Sequence, residues 1–389
     1  MSRQPSPKSA SMPLAQSLAI ESQIRLPGSV GRILKQIRDI ESVAPLFRDA
    51  GLVKSVSRPA VIDLSVAGVA TRSTIKRALG GFVYACAGAR VDLLIRHNQV
   101  STRGGDSVAE LDDIDFEAHR KRLELIEMRQ GYRLAERQLT EPDPARLILL
   151  DTPLFLDRQM APLERHQRHA QEYEQTRAQI ATFWEQHRAR LFPWNPQGPI
   201  LASIVAERFT AIVSMARGNL RTQEGRRELL ASDGYAAECI DHIERLARLD
   251  ERLAGIGDQR FVNGILGSFN RTMAFRLTEA RKRLEPKAAA APGVLGFHYR
   301  GGRGSSIQMV QLPGDEPDWD SAHLDAVAWR LMVLDMQNRR QARPLPQLLA
   351  AEQLRVLDQF ADFYVQGLNE AMKRNEIEDI WLGGLDLED

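Results

Sequence analysis

The chain has 389 residues, 43% hydrophobic and 26% charged, a composition typical of globular proteins and unlike that of disordered, fibrous or membrane-spanning ones. Its 52 basic and 51 acidic residues balance, so any site for a polyanion must be local. The two cysteines, Cys86 and Cys239, lack a metal-binding spacing and predict buried free thiols. Because the sequence shows neither a signal-peptide core nor an apolar run of about 18 residues, we expect a cytoplasmic protein without membrane contact.

The chain begins with a polar tail and a helical segment. Residues 1–12 are rich in Ser and Pro and predict disorder, whereas 13–58 predict an N-terminal helical segment from the spacing of their apolar residues. Three apolar runs then have the composition of strands, namely 59–66, 81–87 and 90–96. Because the last two lie close together, they predict a hairpin around Gly88.

A helix and a short strand complete the first part of the predicted core, 59–156. Charged residues with apolar ones at helical intervals predict a helix over 115–139, which ends before Pro142. The apolar run 146–150 follows and ends at Asp151. Strands, a long helix and a further strand with an acidic tip indicate an α/β fold.

The middle and the end of the chain predict a different organisation. Helical spacing through 157–292 predicts a large all-helical insertion, closed by an Ala/Pro linker. The second part of the core, 293–389, resumes with two strands and ends in two helices. The predicted fold class is therefore α/β, a mixed sheet flanked by helices with this insertion.

Three carboxylates occupy positions where catalysis by a divalent metal is possible. Asp63 lies on the first strand, Asp151 at the tip of the fourth and Glu136 on the helix between them. Together they would form an oxygen-rich site for Mg²⁺ or Mn²⁺, ions that activate water and neutralise a phosphodiester. Taken singly, each has a simpler explanation: a turn or a local hydrogen bond for Asp63, a cap on the following turn for Asp151, and an ion-paired surface stripe with Arg129 and Arg133 for Glu136.

The order of these motifs resembles that of the NurA family of nucleases. The family shows Asp-Gly-Ser on its first strand, an Arg-x-x-Glu helix and a strand ending in Leu-Asp-Gly-Ser/Pro-Leu. This chain has Asp63-Leu64-Ser65, Arg133-Leu134-Ala135-Glu136 and Leu150-Asp151-Thr152-Pro153-Leu154 in the same order. Near its C-terminus, Met309–Pro313 and Pro344–Ala351 are similar to further family segments. The resemblance spans roughly residues 59–370, and each motif alone is short.

The resemblance implies an RNase H-like fold and a metal-dependent DNA nuclease, with Asp63, Glu136 and Asp151 as catalytic residues and ligands of Mn²⁺ or Mg²⁺. It also implies a homodimer that works with a HerA-type hexameric DNA translocase in DNA end processing or phage defence. The sequence has no Walker motif, so ATP-driven motion would come from that partner. The candidate DNA contacts are Ser65, Arg129, Arg133, Arg276, Arg283 and Tyr299. Arg276 and Arg283 are expected two turns apart on one helix face, where a solvated face is the alternative.

Several positions depart from the family pattern and leave alternatives open. Leu64 and Thr152 replace glycines, and the C-terminal histidine of the family falls at Ala351. A catalytically weak or inactive NurA-like subunit of a translocase complex is therefore the second hypothesis. A third is a helical scaffold unrelated to nucleic acid, which a structure without convergence of the three carboxylates would favour.

Overall fold

A mixed sheet with helices on both faces is the main feature of the computed structural model. The described residues are 14–49, 51–57, 63–78, 81–97, 99–156, 158–205, 258–276, 292–302, 306–315, 318–337 and 343–375. The helices within them are α1 (Leu14–Asp49), α2 (His119–Thr140), α3 (Gln167–His187), α4 (Asp258–Ile265), α5 (Ser321–Met336), α6 (Leu345–Gln353) and α7 (Leu357–Arg374). The strands are β1 (Val53–Ser55), β2 (Leu64–Ala78), β3 (Gly81–Arg96), β4 (Gln99–Ile114), β5 (Leu147–Leu150), β6 (Ile200–Val205), β7 (Asn270–Thr272), β8 (Phe275–Arg276), β9 (Val294–Arg300) and β10 (Gln308–Pro313).

The ten strands form one sheet in the order β1-β7-β9-β10-β6-β5-β2-β3-β4, with β8 paired to β9. Strands β2, β3 and β4 are long and antiparallel, whereas β5 runs parallel to β2, and β6 runs parallel to β5. A parallel neighbour requires a crossover connection, which α2 provides between β4 and β5. This arrangement places the C-terminal end of β5 against the middle of β2.

The residues of β2 alternate between two hydrophobic cores, one on each face of the sheet. Val66 and Ala70 belong to the core beneath α5, and Ala67 and Val69 to the core beneath α2 and α3. Strand β5 is Leu-Ile-Leu-Leu and is buried throughout, as expected of a central parallel strand covered on both faces. Burial of each such side chain contributes about 1.5–3 kcal/mol.

The predicted α/β class with a mixed sheet is confirmed, but the boundaries of its first strands are wrong. Strand β2 begins at Leu64 and runs far beyond the predicted end, and Gly88 lies inside β3 instead of in a turn. A Cβ at Gly88 would lie 2.9 Å from the Leu134 side chain, so this glycine accommodates the close approach of α2. A glycine within a strand was therefore mistaken for a turn.

The prediction of an all-helical insertion over 157–292 holds for α3 and α4, but strands in the same described region show that the segment is not all-helical. Residues 200–205 form β6, a fully buried strand between β5 and β10, because their apolar run has no period that separates strand from helix. Residues 258–276 of the predicted insertion form α4 followed by two short strands. The predicted N-terminal tail, residues 206–257 and residues 277–291 lie outside the described residues.

None of the helices in the described ranges contains a stretch apolar and long enough to cross a membrane.

Candidate functional site

Asp151 lies at the C-terminal end of β5, where the chain leaves the sheet. The register Gly68↔Leu149 brings the strand end beside Thr71 of β2. The Thr71 backbone N–H donates to Asp151 Oδ2 at 2.9 Å, and the Thr71 hydroxyl donates to Oδ1 at 3.0 Å. Open α/β sheets bind ligands at the carboxyl ends of their parallel strands, so Asp151 occupies the favoured position for a site.

Burial raises the pKa of Asp151 from 3.8 to about 6, and the hydrogen bonds from Thr71 and the charge of Arg343 only partly oppose this rise. The negative charge of Glu127 raises the pKa of Asp151 further. Perturbed carboxylates of this kind are concentrated at functional sites, although structural ion pairs also produce them.

Glu127 lies on α2, the helix that covers the face of β2 on which Thr71 lies. The Ser73 hydroxyl donates to Glu127 Oε1 at 2.6 Å. Because side chains two residues apart on a strand share a face, Thr71 and Ser73 bring Asp151 and Glu127 to one surface of the sheet. We call Thr71, Ser73, Glu127, Asp151 and Arg343 the strand-β2 site.

Asp63 lies far from this site. It immediately precedes β2, is exposed, and accepts a hydrogen bond from the His97 backbone N–H at 2.9 Å. Eight residues of strand separate Asp63 from Thr71, which corresponds to about 25 Å. The predicted convergence of Asp63 with Asp151 is therefore wrong, because β5 pairs with the middle of β2 and not with its beginning.

Glu136 also points away from the strand-β2 site. Nine residues separate it from Glu127, which places the two side chains on opposite faces of α2. Glu136 Oε1 lies 3.5 Å from His187 Nε2 of α3, and its side chain is 42% exposed. The three predicted carboxylates thus lie in three separate places.

The β2 residue that contacts Asp151 carries a hydroxyl and no carboxylate. This residue is Thr71, which is followed by Arg72 and Ser73. Arg72 points to the other face of the sheet, where it pairs with Asp358 of α7 at 2.5 Å. The site therefore offers two carboxylates where the resemblance implies three.

The donors of the strand-β2 site fit one class of metal ion. Within the described part of the chain, no group of three or more His, Cys, Asp or Glu side chains is placed to hold a metal. Two carboxylates and two hydroxyls nevertheless form an all-oxygen set, and Mg²⁺ is usually held in proteins by one or two carboxylates while it keeps several waters. The residues fit a hard, partly hydrated cation and do not form a closed metal cage.

Two of the six predicted DNA contacts are buried, and two others are not described at the level of their side chains. Arg129 is buried and pairs with Glu172 at 2.5 Å. Tyr299 is fully buried near Asp335, and burial raises the pKa of the Tyr299 hydroxyl. Arg276 lies on β8 and not on a helix, and Arg283 lies outside the described residues.

Two predicted contacts remain accessible to a ligand. Arg133 is an exposed cation on α2. Ser65 is half-buried at the beginning of β2, and its Oγ accepts a hydrogen bond from the Arg146 backbone N–H at 3.0 Å. Of these two, Arg133 alone carries a positive charge that can neutralise a phosphate.

The sequence contained a signal for Glu127 that the motif comparison did not use. Glu127 lies four residues after Leu123 and seven before Leu134, so it shares the buried face of the helix with both. An acidic residue on an apolar helix face needs a polar partner, and Ser73 supplies one. Arg343, which follows residues outside the described ranges, gave no comparable signal.

Comparison with known proteins identifies the fold. No protein-family model matches the chain, and no curated protein matches it. The NurA nuclease from Sulfolobus solfataricus is 12% identical, with a TM-score of 0.53, and the match covers 94% of this chain and 99% of that one. A NurA crystal structure with manganese is 13% identical with a TM-score of 0.43, covering 90% of this chain and 98% of that one.

Endonuclease V from Bacillus subtilis is 14% identical with a TM-score of 0.33, covering 79% of this chain and 88% of that one. The second and third structures have TM-scores below 0.5, so we draw no conclusion from their similarity to this chain. The first shows that this chain has a NurA-like fold, which confirms the resemblance at the level of the fold. The mixed sheet excludes a purely helical fold. The three predicted carboxylates do not converge, however, which is the outcome that favours a role unrelated to nucleic acid.

Proposed function

We propose that the chain is a DNA nuclease of NurA type whose chemistry is centred on Asp151 and Glu127. The observation that carries the proposal is the position of Asp151, a desolvated carboxylate at the end of a central parallel strand, with Glu127 beside it in a NurA-like fold. Of the three residues predicted from the sequence, this proposal keeps Asp151 and adds Glu127. Asp63 and Glu136 have no part in it.

Each residue of the strand-β2 site has a distinct task. Asp151 and Glu127 would hold Mg²⁺ or Mn²⁺, which neutralises a phosphodiester and activates water when bound. Thr71 donates two hydrogen bonds to Asp151 and fixes its carboxylate plane. The Ser73 hydroxyl orients Glu127 in the same way. Arg343, which is close enough to lower the pKa of Asp151, is placed to pair with a phosphate.

The expected partners belong to the same proposal. DNA would reach the site along the exposed cation Arg133 and the cation Arg343, contacts that make binding weaken as salt increases. A HerA-type hexamer would supply the ATP-driven movement of DNA, since the sequence contains no Walker motif of its own. A homodimer is part of the expectation from the resemblance.

A non-catalytic subunit of a translocase complex is the second candidate, and Thr71 favours it. A third carboxylate at this position would add charge to the metal site, whereas a threonine adds only a neutral oxygen. A chain that keeps the fold and loses this carboxylate can still bind DNA or a translocase. The two candidates differ in whether Asp151 and Glu127 suffice for hydrolysis.

Cleavage of end-labelled linear DNA separates the two candidates. The full chain is incubated with Mn²⁺, with Mg²⁺ or with EDTA, alone and with a HerA-type hexamer. The variants are Asp151→Asn and Glu127→Gln, and Thr71→Asp is added to supply a third carboxylate. Glu136→Gln is the matched control, because it makes the same change on the opposite face of the same helix.

The nuclease proposal predicts metal-dependent cleavage by the wild type, a loss of about 100-fold or more in Asp151→Asn and Glu127→Gln, and no loss in Glu136→Gln. Cleavage that survives Asp151→Asn would place the chemistry elsewhere and refute the proposal. If only Thr71→Asp cleaves, the natural chain is the non-catalytic subunit.

A further inference from the structure

Most of helix α1 is a long segment with little burial. Every residue from Leu14 to Asp39 is exposed or partly exposed, whereas Ile40, Ala44 and Phe47 near the end of the helix are buried. At 1.5 Å per residue, the exposed part is about 39 Å long. It carries nine large apolar side chains that are exposed. Monomeric proteins rarely expose so many together, so this surface is expected to have a partner.

A regular apolar stripe runs along α1 from its exposed part into its buried part. Alternating steps of four and three residues connect its members, which are Leu26, Val30, Ile33, Ile37, Ile40, Ala44 and Phe47. This is the heptad spacing of helices that pack along a seam against another helix. We call the exposed part of the stripe, Leu26, Val30, Ile33 and Ile37, the α1 seam.

Helix α4 covers the buried end of this stripe. The Phe261 ring of α4 lies 5.0 Å from the Phe47 ring in an edge-to-face arrangement. Arg260, near the start of α4, donates a hydrogen bond to the Gln36 side chain. The stripe is therefore already used for helix packing within this chain, and the α1 seam is its exposed continuation.

The exposed part of α1 has a sequence that is poor at forming a helix alone. Pro27 lies inside the helix and lacks the N–H of an internal helical hydrogen bond. Gly28 and Gly31 lower the helix propensity further. Helices without tertiary contacts are marginal in water even when their sequence is favourable. This part of α1 therefore needs packing along its apolar side.

We infer that the α1 seam packs against the α1 seam of a second copy of this chain. The residues that flank the seam are uncharged, namely Pro27, Ser29, Leu34 and Gln36. At 3.6 residues per turn, the charged residues of this part lie at least about a quarter turn from the centre of the seam. They are Glu21, Arg25, Arg32, Lys35, Arg38 and Asp39. Two seams can therefore face each other without opposing like charges.

An antiparallel arrangement fits two copies best. Because α4 covers the stripe from Gln36 onward, a parallel pair would bring the two α4 helices to the same place. In an antiparallel pair Leu26 lies opposite Ile37 of the partner subunit, and Val30 lies opposite the partner's Ile33. Such a contact buries on the order of 1,000 Å², which is small for a specific interface and predicts a dimer that dissociates on dilution.

Sedimentation velocity of the full chain tests the inference in EDTA, without DNA or cleavage, from about 1 to about 50 μM protein. The inference rests on the proposed function in one respect, because a homodimer is part of that proposal. Ile33→Asp places a charge in the α1 seam. Ile24→Asp is the matched control, because it makes the same change at an exposed isoleucine of the same helix that lies off the seam. Urea unfolding of diluted protein reports the stability of each single chain.

We expect a monomer–dimer equilibrium for the wild type in this range. Ile33→Asp should raise the dissociation constant about 100-fold or more, because the dimer would bury an unpaired charge. Ile24→Asp should change the dissociation constant by about twofold at most, and the two diluted variants should unfold alike in urea.

Three results would overturn the inference. The first is a wild type that stays monomeric throughout, including one whose seam binds only a HerA-type hexamer. The second is a dimer that survives Ile33→Asp. The third is a selective loss of stability in diluted Ile33→Asp, which would mean that the chain covers its own seam. Asp151→Asn should dimerise like the wild type, so failure of the nuclease proposal and failure of this interface are distinguishable.

Discussion

Replacing Asp151 by Asn should stabilise the folded protein at neutral and alkaline pH, although it removes a group that the proposed nuclease chemistry requires. Burial raises the pKa of Asp151 from 3.8 to about 6. Between these pH values the folded chain binds a proton that the unfolded chain has already released, so stability falls as pH rises through this window. The loss of folding stability caused by the raised pKa of Asp151 is complete above about pH 7 and absent below about pH 4.

The size of the change in the free energy of unfolding follows from the shift in the pKa of Asp151. A change of about two pKa units corresponds to about 3 kcal/mol, which is the upper limit of the expected gain in stability. Asparagine escapes the penalty because its amide oxygen still accepts from the Thr71 backbone N–H and carries no charge. A group held in an unfavourable charged state for function commonly lowers stability in this way.

Urea unfolding at pH 4.5 and pH 8 measures the difference between wild type and Asp151→Asn. We expect near-equal stability at the lower pH and a more stable variant at the higher pH. Burial also raises the pKa of Asp335, to about 7, but this contribution is common to both proteins and cancels. Asp358→Asn is the control of opposite sign, because hydrogen bonding from Thr74 lowers the pKa of Asp358. An Asp151→Asn protein that is less stable than wild type at pH 8 would refute the reasoning.

Three further predictions concern a glycine in β2, a buried ion pair of α2 and the strand-β2 site. Gly68→Ala should cost about 1–3 kcal/mol in urea unfolding, because its Cβ would lie 2.5 Å from the backbone of α6, whereas Gly302→Ala, which meets nothing within 4 Å, should be neutral. Arg129→Met should cost about 3–5 kcal/mol by leaving Glu172 unpaired, without changing the salt dependence of DNA binding. Thr71→Asp should make the melting temperature rise on addition of Mn²⁺ by more than in wild type, and an equal rise would contradict the proposed geometry.

The sequence predicts most of the elements that surround the site. The helix over 115–139 corresponds to α2, and the run 146–150 corresponds to β5 with Asp151 at its end. Both have strong local signals: apolar residues at helical spacing, and an apolar run bounded by proline and aspartate. Local patterns of this kind are sufficient to identify Asp151.

The partners of Asp151 depend on register, which the sequence does not encode locally. Asp63 matched a short motif, but the parallel pairing of β5 with β2 places Thr71 beside Asp151 instead. A motif fixes residue order, whereas strand pairing fixes which residues meet. Glu127 could have been selected over Glu136 from its place on the apolar face of α2, had burial been weighed above the motif.

Strand β6 could not be separated from a helix by its sequence. Its residues Ile200–Val205 are buried between β5 and β10, so no polar face reveals a period of two. The neighbouring sequence has helical spacing, and the whole region was therefore predicted as helix. Pairing with strands distant in the sequence decides its structure.

The most direct test of the account compares Glu127→Gln with Glu136→Gln in metal-dependent cleavage of end-labelled DNA. The two variants make the same change on the same helix, nine residues apart. The account predicts that Glu127→Gln loses cleavage and Glu136→Gln retains it, because only Glu127 faces Ser73 and Asp151. Loss of cleavage in Glu136→Gln with full activity in Glu127→Gln would contradict the assignment of the site.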